Sequence, residues 1–132
     1  MAATEHPNLA KFRDGMKAFA ERDLAAMSAH YADDLVWHYV GAAPIAGDYH
    51  GPEEVLAMFA QRAALAGDRW TSQVASVSAS DGFITAIHHV HAERGDFVLE
   101  MEVCTVFRTR DDRVVEAWLI VGDPVGEARI YA

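Results

Sequence analysis

The stretch AIHHVHAERGDFVLEMEVC, residues 86–104, concentrates the side chains best suited to proton transfer. His88, His89 and His91 fall within four positions, followed by Glu100, Glu102 and the single cysteine of the chain, Cys104. A histidine titrates near neutral pH, so it can take a proton and return it. A carboxylate beside it fixes the tautomer and raises the pKa. Two histidines two apart on a strand, with Glu100 or Cys104, would also make three ligands for a metal. Which chemistry is open depends on which of these side chains share a face.

The segment reads as two antiparallel strands joined at Arg94-Gly95. That turn sets His91 opposite Val98, His89 opposite Glu100, and Ile87 opposite Glu102. Side chains alternate across a strand. One face then carries Ile87, His89, His91, Glu100, Glu102 and Cys104. The other carries Ala86, His88, Val90, Leu99, Met101 and Val103. A further turn at Asp111-Asp112 places Ala117, Leu119 and Val121 with the histidine pair, and Trp118 and Ile120 with Met101. Composition alone makes the apolar face the core and the histidine face solvated.

The elements around this hairpin read as α+β. Pro7 suits the first position of a helix whose buried stripe is Leu9, Phe12, Met16 and Phe19. Asp23 caps a short second helix with Leu24, Met27 and Tyr31 on its apolar side, closed by Asp33-Asp34. A short strand, 35–40, leads into a loop with Gly41, Pro44 and Gly47. Gly51 and Pro52 open a third helix that buries Val55, Leu56, Phe59 and Ala63 and ends near Gly67. Strands follow near 70–79, 83–92, 97–109 and 114–121.

At 132 residues, 52% hydrophobic and 23% charged, the chain fits one globular domain over residues 1–132. A net charge of −9 with no basic stripe argues against nucleic acid or anionic membranes as partners. One cysteine excludes an internal disulfide and suits a reducing compartment. The amino-terminal MAATEHPNLAKF lacks the apolar core of a leader, and no apolar run reaches membrane-spanning length. The expected location is therefore the cytoplasm.

Three segments, AERDLAAMSAHYADDLVW, GDYHGPEEVLAMF and DDRVVEAWLIVGDP, in this order and spacing, make the chain resemble the NTF2-like superfamily, in its SnoaL-like and ketosteroid-isomerase-like branch. The resemblance runs from about Leu9 to Pro124. It implies three helices packed in a curved, mostly antiparallel sheet that bends into a cone. It also implies a pocket on the concave face and a homodimer through the convex face. By position in that family, the face of His89, His91, Glu100, Glu102 and Cys104 lines the cone. The face of Met101, Val103, Trp118 and Ile120 is then the dimer contact.

The apparatus of several branches is missing. The ketosteroid isomerase tyrosine and aspartates fall on Gly15, Tyr39 and Cys104. The arginine and aspartates of the limonene-epoxide-hydrolase-like enzymes fall on His89, His91 and Leu119. The last-strand aspartate of SnoaL-like cyclases falls close to Asp123, and Asp123 could equally be a cap before Pro124. The strand histidines and tyrosines of scytalone-dehydratase-like members are echoed by His89 and His91 with Tyr31 and Tyr39. The resemblance thus implies cofactor-free, metal-free acid–base chemistry on a small carbonyl compound: cyclisation, isomerisation or dehydration. His89, His91, Glu100 and Asp123 are the candidate proton carriers. Tyr31, Trp37, Tyr39, Phe59, Glu102, Cys104 and Leu119 are the candidate substrate contacts. A non-catalytic binding or assembly module and a metal-dependent enzyme built on His89 and His91 are the rival readings.

Overall fold

The computed structural model describes residues 6–132. Residues 1–5, part of the amino-terminal stretch read above for a leader, lie outside the described residues. Helices α1 (Pro7–Ala20) and α2 (Leu24–Ala29) are followed by strands β1 (Tyr31–Val40) and β2 (Gly47–His50). Helix α3 (Gly51–Leu65) comes next. It leads into strands β3 (Arg69–Ala79), β4 (Phe83–Arg94), β5 (Phe97–Arg110) and β6 (Arg113–Val121), and then helix α4 (Pro124–Tyr131). The helix starts obey their caps. The His6 ring accepts from the Asn8 amide ahead of Pro7, and Asp23 accepts from the Ala26 amide. Among the described residues, no helix is long and apolar enough to cross a membrane.

The strands form one sheet in the order β2-β1-β6-β5-β4-β3, with β1 and β6 parallel and every other pair antiparallel. Helix α1 packs on β3 and β4, α3 on β1 and β2, and α4 on β4 and β5. All of them cover one sheet face. That inner face carries Trp37, Val90, Leu99, Met101, Val103, Ala117, Leu119 and Val121, all buried in the main core. Arg94 holds two helix ends together by donating to the carbonyls of Leu65 and Ile130. Those carbonyls have no partner within their own helices.

Several expectations are corrected. Tyr31 belongs to β1 and not to α2, and Asp33-Asp34 lie within that strand. The loop after β1 contains strand β2, and a fourth helix follows Asp123. The β4–β5 turn is Gly95-Asp96, one residue further on, so Arg94 faces Phe97 and His91 faces Glu100. Each partner moves by two, which leaves the division into two faces intact.

The assignment of inside and outside is reversed. Ile84, Ala86, His88, Val90 and Ala92 are buried in alternation along β4, while His89 is exposed and His91 half-buried on the far side. Met101 and Val103 are core residues, not convex ones. Burying the pair of histidines with Glu100 and Glu102 under apolar helices would strip water from several polar groups at once. The apolar face loses nothing by burial, and it is the one the helices cover.

Strand β6 departs from simple alternation. The register slips between Arg108–Glu116 and Thr109–Val114, with Val115 as the extra residue. This bulge turns Trp118 and Ile120 to the outer face beside Cys104 and Glu102, and sets Ala117, Leu119 and Val121 inside with Met101.

Candidate functional site

The inner face and the helices enclose a cavity of about 690 Å³. Its wall is largely apolar: Phe12, Met16 and Phe19 from α1, Trp37 from β1, Phe59 from α3, and Val90, Val103 and Leu119 from the sheet. Tyr31, Trp37, Phe59 and Leu119 line it as expected. Its polar content is the smaller part. His88 and Thr105 come from β4 and β5, Tyr31 from the start of β1 and Arg62 from α3, while Asn8, Lys11, Arg22, His30, Ser72, Thr109 and Asp112 complete the polar lining.

His88 is 7% exposed, and its Nε2 lies 3.3 Å from Thr105 Oγ1. Its pKa is held below the usual 6.5, chiefly by burial and also by the cationic Arg62 guanidinium nearby. The ring is therefore neutral at neutral pH and able to accept a proton. Burial pushes the Tyr31 hydroxyl well above its ordinary range, so it remains a hydrogen-bond donor throughout the physiological range.

Two donors in the wall lack partners. The indole Nε1 of Trp37 and the Nε of Arg62 are buried with no hydrogen-bond acceptor among the described residues. An unmade hydrogen bond on a buried donor costs about 1–3 kcal/mol. The Arg62 guanidinium lies 4.8 Å from the centre of the Trp70 ring and 5.7 Å from that of Tyr39. Cation–π attraction offsets part of the cost of its burial.

Behind Arg62 sits a closed polar knot. Glu127, fully buried, accepts from the Tyr39 hydroxyl at 2.6 Å, the Tyr131 hydroxyl at 3.0 Å and the Ala42 amide at 2.6 Å. Burial raises the Tyr39 hydroxyl pKa strongly and pushes that of Tyr131 up to about 12. Tyr39, expected in the cavity wall, lies in this knot instead.

The remaining expected site residues lie elsewhere. His89, 50% exposed at its side chain, contacts Glu100 at 2.5 Å on the outer face. His91 bonds the other Glu100 oxygen and also Glu93, and its pKa is raised by Glu100 first and Glu93 second. Glu102 and Cys104 share that outer face. Asp123 caps α4 by accepting from the Gly126 amide at 2.9 Å. Among the described residues, no three His, Cys, Asp or Glu side chains converge in a geometry that could hold a metal.

Sequence reasoning missed Arg62, Glu127 and the inward role of His88. Arg62 had a signal: it follows Phe59 by three residues and so shares the helical stripe that faces the cavity. Glu127 had a weaker one in Asp123-Pro124, a cap followed by the first position of a helix.

Residues 12–117 match the SnoaL-like domain, and the chain belongs to that family. An uncharacterized protein of Mycobacterium tuberculosis, Rv0034, is 26% identical, covering 98% of this chain and 99% of its own length. The structure of Bal32a, from a soil-derived mobile gene cassette, is similar with a TM-score of 0.82 and 27% identity over 95% of this chain and 96% of that one. An NTF2-like protein from Burkholderia pseudomallei has a TM-score of 0.82 at 21% identity, over 95% and 97% of the two chains. TerC, co-crystallized with polyporic acid, has a TM-score of 0.80 at 12% identity, over 96% and 100%. The last two likenesses establish the NTF2-like fold.

Proposed function

We propose that the cavity binds a compact, mostly apolar carbonyl compound and that His88 acts on it as a general base, without a cofactor, in an isomerisation, cyclisation or dehydration. The observation that carries this reading is the pairing of His88, a base kept neutral by burial, with Arg62 and Tyr31, two side chains able to donate, in the wall of one largely apolar cavity. A base removes the proton next to a carbonyl, and fixed donors stabilise the charge that develops on oxygen. The family and the crystallization of the similarly folded TerC with polyporic acid support a small organic ligand.

A binding module without chemistry is the second reading. It is favoured by the scarcity of carboxylates: among the described residues, Asp112 is the one carboxyl lining the cavity, and it pairs with Lys11. Turnover of a panel of cyclic ketones and enones by the wild type and by His88→Asn separates the two. Turnover lost in the variant supports the enzyme; ligand binding without turnover by either protein supports the module.

We infer a homodimer through the outer sheet face, with its apolar contacts at Trp118 and Ile120 as expected, and with Val40, Ile87 and Val98 in place of Met101 and Val103. Val40, Ile87, Val98 and Ile120 are large exposed hydrophobic residues on one face, more than a solvated sheet needs. Sedimentation at micromolar concentration tests it. A monomer would contradict it.

A further inference from the structure

Arg62 stands in an unusual setting for a cation. It lines an apolar cavity, its Nε is buried without an acceptor, and among the described residues no carboxylate lies within ion-pair distance of its guanidinium. Its neighbours are aromatic faces, Trp70 at 4.8 Å and Tyr39 at 5.7 Å. Those faces attract the charge but take no N–H. The buried carboxyl behind it, Glu127, is already engaged by Tyr39, Tyr131 and the Ala42 amide. The guanidinium thus stands in the cavity wall with no carboxylate among the described residues to neutralise it.

We infer that Arg62 is the receptor for a carboxylate group of the ligand, so that the molecule bound is a compact aromatic or alicyclic monocarboxylate. This rests on the cavity reading above and names its substrate class. A guanidinium presents two parallel N–H groups that match the two oxygens of a carboxylate. The remaining wall, with Trp37, Phe59, Val90 and Leu119, fits an apolar ring system. The charge count selects a monoanion over a phosphate dianion. The other cations of the wall belong to its rim, where Lys11 pairs with Asp112 and Arg22 is exposed. Arg62 is left as the one cation facing the aromatic interior among the described residues. The chain's net charge of −9 repels anions at long range, so an anionic ligand must be selected by such a local contact.

The test is calorimetric titration of the full chain at physiological salt with matched pairs: benzoate and benzamide, 2-naphthoate and 2-naphthamide, cyclohexanecarboxylate and its amide. At least one carboxylate should bind the wild type about tenfold or more tightly than its amide. Arg62→Gln should remove that preference, bringing the affinities of each carboxylate and its amide together. Arg62→Lys, which keeps charge without the fork, should fall between them. Amides that bind the wild type as tightly as carboxylates overturn the inference and leave the cavity reading standing. A preference that survives in Arg62→Gln, or in Arg62→Lys at full strength should the glutamine variant not fold, also overturns it. No binding by any member of either series overturns both.

Discussion

His88 and His89 are consecutive residues whose rings lie on opposite sides of one sheet. His88 is 7% exposed and its Nε2 lies 3.3 Å from Thr105 Oγ1; His89 is 50% exposed at its side chain and contacts Glu100 at 2.5 Å. One peptide step separates a ring kept neutral by its surroundings from a ring in contact with a carboxylate and solvent.

The titration of the imidazoles should divide accordingly. His38 lies between Glu116 at 2.8 Å and Asp48 at 2.7 Å, and its pKa is raised by Glu116 first and Asp48 next. His91 is raised by Glu100 and Glu93. Nitrogen-resolved NMR should show His38 and His91 titrating above 6.5 and His88 below it. A His88 midpoint above that of His91 would contradict the cavity assignment.

These shifts carry opposite signs for stability. A raised histidine stabilises the fold below its unfolded pKa of about 6.5, and that contribution is lost as pH rises through the folded value. The depressed His88 behaves in reverse: its contribution is present above about 6.5 and is lost as pH falls through its folded pKa. His91→Asn should therefore flatten the loss of stability on the alkaline side, and His88→Asn the loss on the acid side. Melting temperatures across pH 5–9 check both, and a reversed pairing would refute the assignment of faces.

Removing the imidazole at position 88 should reduce turnover by about 10²–10⁴-fold once a substrate is in hand. His89→Ala should leave turnover unchanged, because its ring meets no cavity residue. In the wild type kcat/KM should fall in acid with a midpoint below the usual 6.5. Tyr31 should add no alkaline limb below pH 10, since burial holds its proton.

Glu127 should matter for folding rather than for ligand choice. Glu127→Ala leaves the Ala42 amide and one of the two tyrosine hydroxyls without an acceptor, since the other can donate across the 2.9 Å Tyr39–Tyr131 contact, at a cost on the order of 3–5 kcal/mol. Glu127→Gln keeps one carbonyl oxygen and should cost less. Gly41→Ala probes the same knot: a Cβ there would lie 2.6 Å from Glu127 Oε1 and 2.9 Å from Val121. Overpacking of that kind costs about 1–3 kcal/mol. Urea denaturation measures all three, and a neutral Glu127→Ala would refute the role given to the knot.

The sequence carried the elements and the partition of the hairpin into faces. Parity is robust there: moving the turn from Arg94-Gly95 to Gly95-Asp96 shifts every partner by two and flips none. Which face lies inside was also written in the composition, since Val90, Met101 and Val103 are apolar where His89, Glu100 and Glu102 are not. Position in the family pointed the other way, and burial decided against it. The bulge at Val115 had no local signature, so Trp118 and Ile120 were grouped with Met101 and Val103, from which the bulge separates them. Arg62 was passed over because a lone arginine on an amphipathic helix reads as solvated, and the aromatic rings that hold it, Tyr39 and Trp70, come from distant strands.

The central claim is that ligand meets His88 inside the cavity. The most direct measurement follows the side-chain nitrogens of a ¹⁵N-labelled protein as the tightest-binding carboxylate of the panel above is added. The His88 imidazole and the Trp37 and Trp70 indole signals should shift together with one saturation curve, while His89 and His91 stay in place. Shifts at His89 and His91 with His88 unmoved would contradict it.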